Sequence, residues 1–260
     1  MTADDTKKAG SIQVIDRAAA LLDAIARYPN PVSLKVLGAE TGLHPSTAHR
    51  ILASLIDNRF VERDPAGRYR LGMRLLQLGA RLHSNIDLRA VALPTMEQLR
   101  DRLGESVNLT LREGDTVVYI EKATPTRMMH VQQLVGSRAP LHVTAVGKLM
   151  LGAGGEEGIR AYAQRTNLPA YTRNTITDLP RLIAACTDSL ARGYALDDEE
   201  AELAVGCIGV LLHDATGNVI GGLSVSAPIE RRRLAWVPEV MAAGAEISAK
   251  LGHQPRTADA

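Results

Sequence analysis

The stretch from Val32 to Leu71, VSLKVLGAETGLHPSTAHRILASLIDNRFVERDPAGRYRL, constrains this chain more than any other. It reads as a helix, a tight turn, a second helix and a short hairpin, in that order. Within HPSTAHRILASL (residues 44–55), Ala48, Ile51, Leu52 and Leu55 recur at i, i+3, i+4 and i+7, the spacing of one apolar helical face. Ser46, Arg50 and Ser54 turn away from that face, and Thr47 and His49 sit on its flanks. Pro45 suits the first helical position, where a missing N–H costs nothing. Gly42 ends LKVLGAET as a glycine just past a helix does. Two short helices joined by a Gly-containing turn form a helix-turn-helix, whose second helix enters a major groove in DNA-binding proteins. Asp64-Pro65-Ala66-Gly67 carries type I turn preferences and joins Phe60–Arg63 to Arg68–Leu71. Arg63, Arg68 and Arg70 thereby cluster near the tip, as a wing gripping phosphates requires. Helix, turn, polar face and basic hairpin in this sequence favour a winged helix-turn-helix over a helical hairpin with a solvated loop.

The flanking residues extend that unit. Residues 1–10 read as a disordered tail. Ser11 is placed to cap a helix carrying Val14, Ala18, Leu21, Leu22 and Ile25, which Pro29-Asn30-Pro31 breaks before Ser33 caps the next. The DNA-binding domain is therefore expected over residues 11–72. Beyond Gly72, Leu75, Leu78, Leu82 and Ile86 make a narrow apolar stripe, which predicts a linker helix over 73–91 that pairs with a second copy. Residues 1–90 hold 13 Lys and Arg against 9 Asp and Glu, while the remainder holds 17 against 20, so the small domain bears the positive charge. The N-terminus lacks an apolar signal core, no apolar run is long enough to span a bilayer, and two cysteines are too few for a disulfide framework. These features read as a reduced, cytoplasmic protein without a membrane span.

Residues 92–255 have a different texture. A helix through Leu93, Met96, Leu99 and Leu103 precedes the alternating runs SVNLTLRE and TVVYIEKA, and a further run, MMHVQQLV, follows. GCIGVLLHD and VIGGLSVSA flank a second hairpin turn, Ala215-Thr216-Gly217-Asn218. With helices between, this predicts an α+β domain on an antiparallel sheet. Thr144 is a good N-cap, so the amides of Ala145, Val146 and Gly147 open a helix and offer an anion site. No P-loop is present, since Leu149 follows Lys148. The acidic run Asp197, Asp198, Glu199, Glu200 and Glu202 reads as a metal cluster or, more commonly for such runs, a solvated loop; it matches no EF-hand spacing. Ser224 and Ser226 share one face of a strand, and Cys207 is by default a buried small hydrophobe. A competing reading makes the chain an enzyme with Cys207 as nucleophile and His142 or His213 as base, but no group to orient His213 is visible.

Six motifs in order, SIQVIDRAAALLDAI, TGLHPSTAHRILASL, GRYRLGMRLLQLG, PLHVTAVGK, RGYALDDEE and GLSVSAPIERR, resemble IclR-type bacterial transcriptional regulators over about residues 11–251. The resemblance implies a winged helix-turn-helix that binds double-stranded operator DNA, a linker helix, and a GAF-like effector-binding domain for a small organic acid. It also implies a homodimer or homotetramer, with no cofactor and no metal. On this reading Ser46, Thr47, His49 and Arg50 reach base edges or phosphates, and Arg63, Arg68 and Arg70 hold backbone. The effector pocket maps onto the amides of Ala145 and Val146, with Asp197, Cys207, Ser224 and Ser226, and with Met128 and Val131 as its apolar wall. Val146 narrows the helix start, and aromatics make up only 3% of the chain, so a small aliphatic or monoaromatic acid is expected.

Overall fold

The structure is a computed structural model that describes residues 12–83 and 87–254, with side chains omitted over 79–83. The tail at 1–10, the Ser11 cap, the Leu82 side chain and Ile86 therefore lie outside the described residues. The chain divides into two compact units between residues 86 and 87.

In the first unit, α1 (Gln13–Ala26), α2 (Leu34–Thr41) and α3 (Pro45–Asp57) precede a hairpin of β1 (Val61–Arg63) and β2 (Tyr69–Leu71), then α4 (Met73–His83). The Ser33 hydroxyl accepts the Val36 N–H at the start of α2, and Gly42 ends that helix at φ +65°, where a side chain would be strained. The predicted face of α3 is the core: Ala48, Ile51, Leu52 and Leu55 are all buried, against Leu21, Ala24 and Ile25 of α1, Leu37 of α2, and Val61 and Tyr69 of the hairpin. Val32 and Tyr69 exchange backbone hydrogen bonds at 2.8 Å in both directions, which ties the hairpin to the loop before α2. On α4, Met73, Leu76 and Leu78 are exposed while Leu75 is half-buried, so an apolar stripe stays uncovered within this unit.

The second unit contains α5 (Leu88–Leu103), β3 (Ser106–Glu113), β4 (Thr116–Ala123), β5 (Arg138–Pro140), α6 (Ala145–Ala153), α7 (Gly155–Thr166), α8 (Leu179–Arg192), β6 (Ala195–Asp198), β7 (Val205–His213), β8 (Val219–Pro228) and α9 (Val237–Lys250). The strands form one antiparallel sheet in the order β5-β4-β3-β8-β7-β6. Helices α5 and α9 pack on one face, and α6, backed by α7 and α8, on the other. Strand alternation divides the residues between these faces. Val107, Leu109, Val210, Leu223 and Val225 share the apolar face toward α5 and α9. Asn108, Thr110, Ser224, Ser226 and Gly222 belong to the face under α6, and they are buried too.

One expected strand is absent. MMHVQQLV forms a loop, with Met128, Met129, Leu134 and Val135 exposed. Its apolar residues do not alternate, and the outer edge of β4 is already taken: Tyr119 pairs with Gly136 and Ser137, and β5 pairs with Thr116–Val118. Among the described residues no helix is long and apolar enough to cross a membrane.

Candidate functional site

Two candidate sites stand in the two units. In the first unit, α3 presents one polar face. His44 is its N-cap: Nδ1 accepts the Ser46 N–H at 3.4 Å and lies 2.8 Å from the Ser46 hydroxyl, so Ser46 is engaged in the cap. His49 and Arg50 are exposed and Thr47 is half-buried. The wing is electrostatically quieter than its composition suggests. Arg68 Nε sits 2.9 Å from Asp64, and Arg70 Nη2 sits 2.7 Å from Glu62. Arg63 instead donates from Nε to the Gly67 carbonyl at 3.3 Å and stacks its guanidinium 5.6 Å from the Tyr69 ring centre. Both ion pairs are solvent-exposed, so they are weak and exchangeable for phosphate.

In the second unit, a cavity of about 150 Å³ opens between the start of α6 and the sheet. The Thr144 hydroxyl accepts the Gly147 N–H at 3.1 Å, which removes that amide from the expected set of three. The Ala145 and Val146 amides donate to no described residue, as the first N–H groups of a helix do not. Both residues line the cavity together with Asp197, Cys207 and Ser224. Ser226 lies just behind: its Oγ is 3.2 Å from Cys207 Sγ and accepts Asn108 Nδ2 at 3.1 Å. The remaining two expected residues are elsewhere. Met128 is fully exposed on the loop, and the Val131 carbonyl accepts the Ser106 hydroxyl at 2.5 Å. Neither lines the cavity.

The wall they were assigned is built instead by Val117, Tyr119 and Ala139, with Gln133 and Arg138 at the rim and Thr110 on the floor. Thr110 carried a signal in the sequence, since Ser106, Asn108 and Thr110 alternate along β3. That pattern ordinarily marks a solvent face, and only the placement of α6 shows that it is an interior one.

Burial governs the site's electrostatics. The Asp197 carboxyl is pushed up to about 6, chiefly by burial, against the Glu200 N–H that it accepts at 2.8 Å. Burial and the Asp197 charge drive the Cys207 thiol upward, and burial does the same to the Tyr119 hydroxyl. A thiol held protonated beside Ser226 and Asp197 is the reverse of an activated nucleophile. His142 is buried with Nδ1 on the Tyr162 hydroxyl at 2.7 Å and Nε2 on the Pro169 carbonyl at 3.1 Å, so both of its ring nitrogens are engaged. His213 stacks on His253. Within the acidic run, Glu200 forms a buried ion pair with Lys148, and among the described residues no cluster suited to a metal ion occurs. What remains is a small, partly open, polar-floored cavity with two free amides at a helix start.

Residues 14–65 match the profile of the IclR helix-turn-helix domain, and residues 80–249 match that of the bacterial transcriptional regulator IclR C-terminal domain. The chain is 33% identical over 235 residues to the DNA-binding transcriptional repressor YiaJ of Escherichia coli strain K12, covering 89% of this chain and 83% of that protein. The crystal structure of the Agobacterium tumefaciens repressor BlcR superposes with a TM-score of 0.78 at 25% identity, over 94% of this chain and 99% of that one. An IclR homologue of Microbacterium hydrocarbonoxydans, solved as a complex with 4-hydroxybenzoate, superposes with a TM-score of 0.60 at 26% identity, over 92% and 98%.

Proposed function

The chain belongs to the IclR family of bacterial transcriptional regulators, and from that premise we propose that a small carboxylate bound at the start of α6 tunes its binding to operator DNA. The observation that carries the effector half is the pair of unpartnered amides, Ala145 and Val146, at a small cavity under the start of α6. Free N–H groups and the helix dipole favour an anion there. A volume of about 150 Å³ is on the scale that holds one benzene-sized molecule, which fits a short aliphatic or monoaromatic acid. The complex of the Microbacterium homologue with 4-hydroxybenzoate supports that ligand class.

For the DNA half, His49, Arg50 and Thr47 are the base-reading set on α3, Ser46 supports the helix start, and Arg63, Arg68 and Arg70 hold phosphate. The uncovered apolar stripe of α4 supports a linker segment, residues 73–91, that joins two copies into a homodimer or a pair of dimers. The pocket set is Ala145, Val146, Asp197, Cys207, Ser224 and Ser226, and the site of action is the cytoplasm.

A mobility-shift titration tests both halves, using the DNA upstream of the protein's own gene at two salt concentrations with a panel of two- to seven-carbon carboxylates. A salt-sensitive, sequence-specific shift altered by one acid is the expected result. A shift indifferent to every acid removes the effector assignment, and the absence of any shift removes the operator assignment.

A further inference from the structure

Helix α4 leaves the first unit with little beside it to steer it. Among the described residues it makes no extended contact with another helix or strand, and Met73, Leu76 and Leu78 are exposed along it. A helix so placed points where its first turn is held.

That first turn is held against the end of α3. The Phe60 N–H returns to the Leu55 carbonyl at 2.9 Å, and between them Arg59 takes φ +61°, a costly conformation for a residue with a side chain. Gly72 sits on this turn. Its N–H donates to the Phe60 carbonyl at 2.8 Å, and a Cβ placed on it would lie 2.3 Å from the Arg59 carbonyl oxygen. Arg74, exposed and two residues further on, reaches back to the same turn. Its Nη1 donates to the Asn58 carbonyl at 2.8 Å, and its guanidinium lies 4.6 Å from the centre of the Phe60 ring. Carbonyls at a helix end lack partners within the helix and favour a cation. Phe60 packs in turn on the three-helix core, so the stack joins α4 to that core.

We propose that Arg74 is a positioning residue for operator recognition: its guanidinium, stacked on Phe60 and bonded to the end of α3, fixes the direction in which α4 departs from the recognition helix. In the reading above α4 joins two copies, so this direction sets the separation and rotation of their recognition helices. It thereby sets the half-site spacing that the protein accepts. The inference rests on that reading of α3 and α4. A lysine at this position keeps the charge but has neither the planar face nor the fork of donors.

Selection from a random duplex library by the full-length protein supplies the probe. The most enriched duplex is compared with the same duplex carrying two extra base pairs between its half-sites, a displacement of about 7 Å and about 70° at about 10.5 base pairs per turn. Mobility-shift titration reads both affinities. The unmodified protein loses about a hundredfold on insertion, because a rigid dimer no longer engages both half-sites. Arg74→Ala and Arg74→Lys each lose less than about tenfold, and both melt close to the unmodified protein, as surface substitutions do. A loss equal at both spacings and restored by Arg74→Lys makes Arg74 a phosphate contact and overturns the positioning role. A hundredfold preference kept in both variants overturns it too. An unmodified protein indifferent to spacing overturns it together with the joining of two copies by α4, and a selection that enriches no duplex overturns the operator reading as well.

Discussion

Val146 stands directly on Gly222: a Cβ placed at Gly222 would lie 1.9 Å from Val146 Cγ1, and one placed at Gly209 would lie 2.9 Å from Val146 Cγ2. Two glycines in adjacent strands thus let the start of α6 descend onto the sheet, and the valine becomes the inner wall of the cavity. Val146→Ala removes two buried methyl groups, so urea unfolding is expected to show a loss of about 1–3 kcal/mol. The freed volume also admits larger acids, so binding of a bulky monoaromatic acid improves relative to a short aliphatic one. If calorimetry shows the same selectivity in both proteins, Val146 does not set the size of the site. Gly222→Ala acts in the opposite sense: α6 must lift from the sheet, and both stability and acid response fall.

Asp197 is expected to make acid binding depend on pH. Its folded-state value of about 6, raised mainly by burial, exceeds the ordinary 3.8. The folded protein therefore holds more protons than the unfolded chain between those values. Stability is fullest below about pH 4, declines as pH rises toward 6, and stays at the lower level above it. A bound carboxylate beside Asp197 favours the protonated form further. Acid affinity is thus expected to weaken above pH 6, by up to about tenfold per unit, and titrations from pH 5.5 to 7.5 measure the slope. Asp197→Asn flattens that slope and raises the melting temperature at pH 7.5; an unchanged slope assigns the pH dependence to another group.

Much of this was legible in the sequence, for identifiable reasons. The face Ala48, Ile51, Leu52 and Leu55 announced α3 because helical periodicity and burial coincide in a three-helix core. The amides of Ala145 and Val146 followed from Thr144 as a cap, a local rule that needs no tertiary information. Met128 and Val131 failed because their placement depends on which strand edge is already occupied, and β5 together with Gly136 and Ser137 had taken the edge of β4. Thr110, which lines the cavity floor, was missed for the converse reason. Polar alternation along β3 looks the same whether its polar face meets water or a helix.

Lys148 and Glu200 form an ion pair whose side chains are only 5% and 7% exposed. Glu200 Oε2 has no further partner among the described residues. Such a pair is weak evidence for net stability, but breaking it strands a charge in the core. Lys148→Met is therefore expected to cost about 3–5 kcal/mol in urea unfolding, and the double variant Lys148→Met/Glu200→Leu to recover most of that loss. If the double variant is as unstable as the single one, the pair contributes through geometry at the start of α6 and not through charge.

Arg50 is exposed on the polar face of α3, so its guanidinium is available to a base edge. Arg50→Ala is expected to reduce operator affinity by about 1–3 kcal/mol if the contact is bidentate, with little effect on unrelated DNA. Unchanged binding in a mobility-shift titration would take Arg50 out of the interface.

The wing makes a different prediction, because its arginines already have carboxylate partners. Arg70 is held by Glu62 at 2.7 Å and Arg68 by Asp64 at 2.9 Å. To grip phosphate, each must give up an exposed pair worth roughly 0–1 kcal/mol. Arg68→Ala should weaken binding to all duplexes similarly and lower the slope of log affinity against log salt by about one. Glu62→Gln removes the competitor for Arg70 and one negative charge from the hairpin. Binding should then tighten severalfold at low salt, with the gain shrinking as salt screens it. Asp64 is not the residue for this test, since its Oδ1 also accepts the Arg68 N–H at 2.8 Å and shapes the turn. If Glu62→Gln leaves affinity unchanged at every salt concentration while Arg68→Ala weakens it, Arg70 faces away from the DNA and the phosphate grip belongs to Arg63 and Arg68.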